Sequence, residues 1–269
     1  MPAQPSCDLS SLELHARHVP GPANAGQPPL LILHGLLGSS DNWQSLGKRY
    51  ALAQDVWMLD ARNHGKSPHH GEHSYEHMVA DLRAFMDLHG MPKADLLGHS
   101  MGGKTVMAFA EAHPGMVNKL IVADIATKAY TPHHGPIFDA LLQTSPDRAT
   151  SRESVQDDLA RALGDDKVLV PFLMKGLHRL KEGGFAWRFN VPVLSKALDD
   201  VVGEVSVGMN TLPTLIIRGS ESPYVSDEDL LAMEGRFLNM TDHTIEGAGH
   251  WLHAESPEEF FEVTSDFLA

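Results

Sequence analysis

Disulfide chemistry is closed to this chain. Its 269 residues include one cysteine, Cys7, which can form no intrachain bridge and is at home in a reducing compartment. Basic residues are also scarce. Against 35 Asp and Glu there are 21 Lys and Arg, a formal charge of -14. Such a surface repels nucleic acid and anionic membrane and favours solubility, so neither is expected as a partner. No apolar run reaches the roughly 18 residues of a transmembrane helix. The first eleven residues are polar and lack an apolar signal core, so no secretory signal is expected and the cytoplasm is the expected location. Internal repeats and low-complexity tracts are absent.

What is present alternates. Residues 11–19 read as an opening strand, 30–33 as a buried strand, 42–54 as a helix and 55–59 as a strand. Residues 75–89 place Met78, Val79, Leu82, Phe85, Met86 and His89 at helical spacing. A strand over 93–97, a helix over 103–112 and a strand over 119–124 follow, then strands at 214–219 and, more weakly, 241–245. A closing helix spans 256–268, with Ser256 as N-cap and Pro257 at its first position. Strands alternating with helices predict an α/β fold with a mostly parallel, doubly wound sheet. Residues 126–209 break the alternation, and more than 80 residues is far beyond ordinary loop length. They are expected to form a helical lid, or cap, inserted into a core made of residues 1–125 and 210–269.

The chemistry centres on Gly98-His99-Ser100-Met101-Gly102. This is a G-x-S-x-G elbow between an expected strand and an expected helix, a turn that lifts a serine hydroxyl clear of the sheet. The flanking glycines suit a turn in which a side chain would clash. A serine is a weak nucleophile without a base, and the base needs an orienting acid. Of 17 histidines, His250 in Gly247-Ala248-Gly249-His250-Trp251 is the best base, because it sits on a glycine-rich loop after the last strand. In most proteins with this elbow the acid follows the next strand but one, three residues past a glycine. Here that position is Ser222, which cannot serve. Two acids remain open: Asp124, at the end of the strand after the elbow helix, and Glu221. Asp124 is preferred because ligands gather at the C-terminal ends of such strands. Oxyanion donors are expected from the N–H of Met101 and from that of Leu36 in His34-Gly35-Leu36-Leu37-Gly38.

In these motifs and their order the chain resembles the α/β-hydrolases. Asp60-Ala61-Arg62-Asn63-His64-Gly65-Lys66-Ser67 and Gly98-His99-Ser100-Met101-Gly102-Gly103-Lys104 narrow the resemblance to YbfF-like bacterial esterases and ABHD11-type hydrolases. In the lid, Phe185-Ala186-Trp187-Arg188-Phe189-Asn190 also resembles that group. The resemblance implies an acid at the earlier strand, which maps onto Asp124. It further implies a serine carboxylesterase or thioesterase acting on short to medium acyl groups without a cofactor.

His34 is expected to shape the oxyanion loop. Together with Trp187, Trp251 and Tyr130 it is a candidate substrate contact, and Phe138 is a further candidate for an acyl pocket. His99 is expected to pack under the sheet, and Asp60 and Arg62 to pin their own loop. His64, His69, His70, His73 and His77 cluster, and His73 and His77 lie four apart, a spacing that can hold zinc on one helix face. No cysteine or third carboxylate is fixed by spacing, so no metal site is expected there or at His133-His134. The expected partner is a small acyl ester. An acyl-CoA thioesterase, a C–C bond hydrolase and a ligand-binding protein on a retained fold are the alternatives; the sequence leaves the oligomeric state open.

Overall fold

The computed structural model describes residues 10–23 and 26–269. Cys7 lies outside the described residues. The strands are β1 (Ala16–Val19), β2 (Leu30–Leu33), β3 (Val56–Leu59), β4 (Ala94–His99), β5 (Val117–Ala123), β6 (Leu177–Arg179), β7 (Phe185–Trp187), β8 (Asn210–Gly219) and β9 (Phe237–Ile245). The core helices are α1 (Gln44–Tyr50), α2 (Tyr75–Leu88) and α3 (Met101–Ala112). Helices α4 (Gly135–Gln143), α5 (Arg152–Leu163), α6 (Leu169–Lys175), α7 (Val191–Lys196) and α8 (Leu198–Val202) follow, then α9 (Asp227–Glu234), α10 (Leu252–Glu255) and α11 (Pro257–Leu268).

Among the described residues seven strands form one sheet in the order β1-β3-β2-β4-β5-β8-β9, and only β1 runs antiparallel. Side chains of adjacent positions alternate between two cores, as a pleated strand requires. Leu31, Leu33, Leu96, Leu120 and Val122 pack toward α2 and α3. Leu30, Ile32, Leu97, Ile121 and Ala123 pack toward α1 and α11. Burial on both faces explains why β2 reads as a continuous apolar run and why β4 is buried along its whole length.

The chain runs from β2 to β3 on one side, then crosses back to place β4 on the other side of β2. That reversal opens a crevice at the C-terminal ends of the central strands, where α/β sheets bind ligands. Loops after β2, β4, β5, β8 and β9 converge there.

Several boundaries differ from the sequence reading. The opening strand is confined to Ala16–Val19, because His15 N–H donates to Ser67 Oγ and Leu12 N–H to Asp81 instead of to a ladder. The helix expected over 42–54 is a 3-10 turn, Ser40–Trp43, followed by α1, which stops at Tyr50. Strand β8 starts at Asn210 and β9 at Phe237, earlier than their apolar centres suggest. Of the residues that extend them, 210–213 and 237–240, half are exposed and only Phe237 is buried, so hydrophobicity marks the C-terminal halves most clearly. Helix α9 was not anticipated.

Residues 126–209 hold α4 to α8 and the antiparallel hairpin β6–β7. They have an apolar core of their own, built on Phe138, Leu159, Leu173, Phe189 and Leu194. Phe138 is thus a packing residue of this segment and not a cavity contact. Both ends of the segment are tied to α3. The Lys104 ammonium is buried and donates to the carbonyls of Lys128, at 2.7 Å, and of Gly203. No helix of the described residues is long and apolar enough to cross a membrane.

Candidate active site

The elbow is built by two glycines. A Cβ on Gly98 would collide with the carbonyl of Gly102, and one on Gly102 with the carbonyl of Leu33, so β4, α3 and β2 approach as closely as backbones can. Ser100 sits between them at φ 53°, ψ -119°, a conformation costly for any residue with a side chain. The consequence is a half-buried hydroxyl at the start of α3, where the unpaired N–H groups and dipole of a helix favour negative charge.

Ser100, His250 and Asp124 are joined by hydrogen bonds. His250 Nε2 lies 3.0 Å from Ser100 Oγ, and His250 Nδ1 lies 2.7 Å from Asp124 Oδ2. Asp124 has no solvent exposure, and it too holds a positive φ, 52°, just past β5. Its other oxygen, Oδ1, accepts the N–H of Gly219 at 3.2 Å. Ser222 donates its hydroxyl to Oδ2. The residue at the usual acid position therefore serves Asp124 from the neighbouring strand, because β5 and β8 are adjacent in the sheet. Glu221 is exposed, and its backbone N–H is bound to Ala248 O.

Two aromatic rings frame His250. Tyr224 stacks on it with centroids 4.0 Å apart and an 18° interplanar angle. On another side lies His99, whose Nε2–H donates to His250 O at 2.8 Å. Burial is the main cause holding the His99 pKa well below the ordinary 6.5, with the neighbouring His253 and His250 adding to it, so His99 is a neutral spacer fixing the base's backbone.

The loop after β2 carries Leu36 and Leu37. Leu37, at φ 61°, donates its N–H to His64 Nε2 at 3.1 Å. Among the described residues the N–H of Leu36 has no acceptor, and Met101 opens α3 where no intrahelical acceptor exists. His34 lines the site, and its Nε2 accepts the N–H of Ala61 at 3.0 Å.

These groups open onto a cavity of about 250 Å³. Leu36, Leu37 and Trp251 line it from the core, and Ile137, Leu169 and Phe172 from residues 126–209. His133 and His134 also line it, and His133 Nε2 accepts a hydrogen bond from Tyr224 Oη at 2.7 Å. Of the expected substrate contacts, His34 and Trp251 line the cavity. Trp187 and Tyr130 do not. Trp187 stacks on Phe189 within residues 126–209 at 5.2 Å. Tyr130 takes the Ala126 N–H and donates to Tyr224 O, and so supports Tyr224 from behind. Sequence reasoning missed Tyr224, His253 and Phe172. Only the position of Tyr224, two residues past Ser222, carried any signal.

Among the described residues no group of three or more His, Cys, Asp or Glu is arranged to hold a metal.

The residues matching the model of the alpha/beta hydrolase fold family run from 28 to 189, more than half of the chain. The chain belongs to the α/β-hydrolase family. Within the α/β-hydrolases it is 36% identical to the esterase YbfF of Escherichia coli K12 over 244 residues, covering 89% of this chain and 92% of that protein. It is 34% identical to the zebrafish (Danio rerio) sn-1-specific diacylglycerol lipase ABHD11 over 249 residues, 89% of this chain and 78% of that one. A solved marine microorganism esterase superposes with a TM-score of 0.90 at 38% identity, over 96% of this chain and all of the other. This α/β-hydrolase is accordingly an enzyme of that class.

Proposed function

We propose that the protein is a serine carboxylesterase that hydrolyses short- to medium-chain acyl esters through an acyl-enzyme on Ser100. The observation that carries this reading is the unbroken hydrogen-bond path from Ser100 Oγ through His250 to buried Asp124, facing a cavity of limited size. At about 250 Å³ the cavity lies below the roughly 300–1,000 Å³ typical of pockets for drug-sized ligands, which favours small acyl groups. The esterase names of its relatives agree with the reaction class.

In this mechanism His250 Nε2 takes the Ser100 proton while Oγ attacks the ester carbonyl carbon. Asp124 holds the Nδ1–H tautomer and stabilises the imidazolium. The carbonyl oxygen becomes an oxyanion held by the N–H groups of Leu36 and Met101. The imidazolium returns its proton to the departing alkoxide, and the C–O bond breaks. Water, deprotonated by His250, then attacks the acyl-enzyme and releases the carboxylic acid and Ser100. No step calls for a cofactor, and the substrate is a small acyl ester.

The test is a series of p-nitrophenyl esters from acetate to palmitate, with matched acyl-CoA thioesters alongside and Ser100→Ala as control. Turnover is expected to peak at short to medium chains and to vanish in Ser100→Ala. Wild-type rates in that variant refute the mechanism, and a clear preference for the thioesters reassigns the substrate class.

A further inference from the structure

Two buried histidines join the oxyanion loop to the loop after β3 in a reciprocal way. His34, on the first, donates from Nδ1 to Gly35 O at 2.8 Å and accepts the N–H of Ala61 on the second. His64, on the second, donates from Nδ1 to Arg62 O at 2.9 Å and accepts the N–H of Leu37 on the first. In each ring the Nδ1–H bond fixes the tautomer that leaves Nε2 free to accept. Burial is the main cause holding both pKa values below 6.5, His64 well below, so both rings stay neutral and able to accept.

The loop after β3 is itself rigid. Asp60 accepts the N–H groups of Ser40, at 2.6 Å, and Lys66, at 2.8 Å. Arg62 is fully buried and holds both oxygens of Asp81, at 2.7 and 2.8 Å. Fixed geometry therefore runs from this frame through His64 to Leu37, a residue at φ 61° that would otherwise favour another conformation. The neighbouring N–H is that of Leu36, the proposed oxyanion donor. The acceptor at Leu37 also matters for a second reason: an N–H left free there would compete with Leu36 for the same oxygen or turn the loop toward water.

We infer that His64 is a positioning residue for the oxyanion hole, holding the Leu36 N–H in register by accepting the N–H of Leu37. The inference rests on the acyl-transfer reading above. It also gives the histidine cluster a use other than metal binding. His73 packs against His64, with ring centroids 5.6 Å apart, and His77 Nδ1 turns away to Ser74 Oγ at 3.0 Å.

The experiment compares His64→Leu, His64→Gln and His64→Asn with wild type. Each is assayed on p-nitrophenyl butyrate, for inhibition by an alkyl trifluoromethyl ketone, and for melting temperature. The ketone forms a hemiketal oxyanion on Ser100 that needs the same donors. Removing one oxyanion donor outright lowers kcat by about 100- to 1,000-fold, so misplacing one is expected to lower it about 10- to 100-fold in His64→Leu. KM should stay within about threefold, and ketone affinity should fall in step with kcat/KM. The Gln carbonyl reaches the place of Nε2 and should recover most of the loss. The Asn carbonyl reaches only that of Nδ1 and should not.

Wild-type kcat and ketone affinity in folded His64→Leu overturn the inference. If His64→Leu does not fold, equal activity in the Gln and Asn variants overturns it. Ser100→Ala separates the two levels: turnover there removes the acyl-transfer reading itself, whereas a silent Ser100→Ala beside an unimpaired His64→Leu removes the role of His64 alone.

Discussion

Acid should destabilise this protein well above the range where carboxylates titrate. His73 and His253 are buried, and burial is the main cause pulling both pKa values down to about 3 from 6.5, with the charge of Arg62 adding at His73 and that of His250 at His253. The unfolded chain therefore binds protons below pH 6.5 that the folded chain refuses. Where the unfolded state binds more protons, stability rises with pH. The stability is thus fully present above 6.5 and is lost as pH falls from 6.5 toward 3. Between pH 7 and pH 5 each such histidine costs about 2 kcal/mol, so the pair costs about 4 kcal/mol. That is a large share of the roughly 5–15 kcal/mol of a typical domain. Burial shifts His34, His64 and His99 in the same direction and steepens the slope. Asp95 opposes it, since burial raises its pKa from 3.8, whereas Glu76 and Asp229, held below 4.5 and 3.8, add to the loss in stronger acid. The assay is urea unfolding followed by tryptophan fluorescence at pH 7 and pH 5, on wild type and His73→Leu. Neither ring nitrogen of His73 has a partner among the described residues, so the leucine removes a titration without stranding a hydrogen bond. His73→Leu should lose about 2 kcal/mol less than wild type between the two pH values. An identical loss in both proteins refutes the argument.

Asp124→Asn should lower kcat by about 10,000-fold, because the amide favours the wrong His250 tautomer, while exposed Glu221→Gln leaves esterase kinetics within about twofold. Ser222→Ala removes one donor from Asp124 and should cost kcat about tenfold, read from initial rates on p-nitrophenyl butyrate. Lys104→Met leaves the carbonyls of Lys128 and Gly203 without their donor; it should lower stability by about 3 kcal/mol in urea melts and speed proteolysis within residues 126–209.

Some of this was legible because it is local. Gly98 and Gly102 flank Ser100 in a turn whose sterics admit little else, and two-sided burial wrote β2 and the end of β5 as apolar runs. Strand β9 was half hidden because half of its residues before Ile245 are exposed and only Phe237 among them is buried. Trp187 and Tyr130 misled for a related reason. An aromatic side chain carries the same sequence signal whether it lines a cavity or packs behind one, and only the course of residues 126–209 sends Trp187 onto Phe189 and Tyr130 behind Tyr224.

The sequence by itself determined the alternating α/β architecture and the elbow, since each depends on residues within a few positions of one another. It also marked His250, through the glycine-rich turn that carries it. The sequence favoured Asp124 over Glu221 for the carboxylate without closing the choice, and tertiary structure brings Asp124 to His250. Asp124 and Ser222 are 98 positions apart, and they meet because β5 and β8 pair in register, so that one strand supplies the acid and the next supplies its donor. The histidine latch between the two loops belongs to the same class. Nothing in the sequence pairs His34 with His64, and their exchange of backbone N–H bonds exists only once β2 and β3 lie side by side.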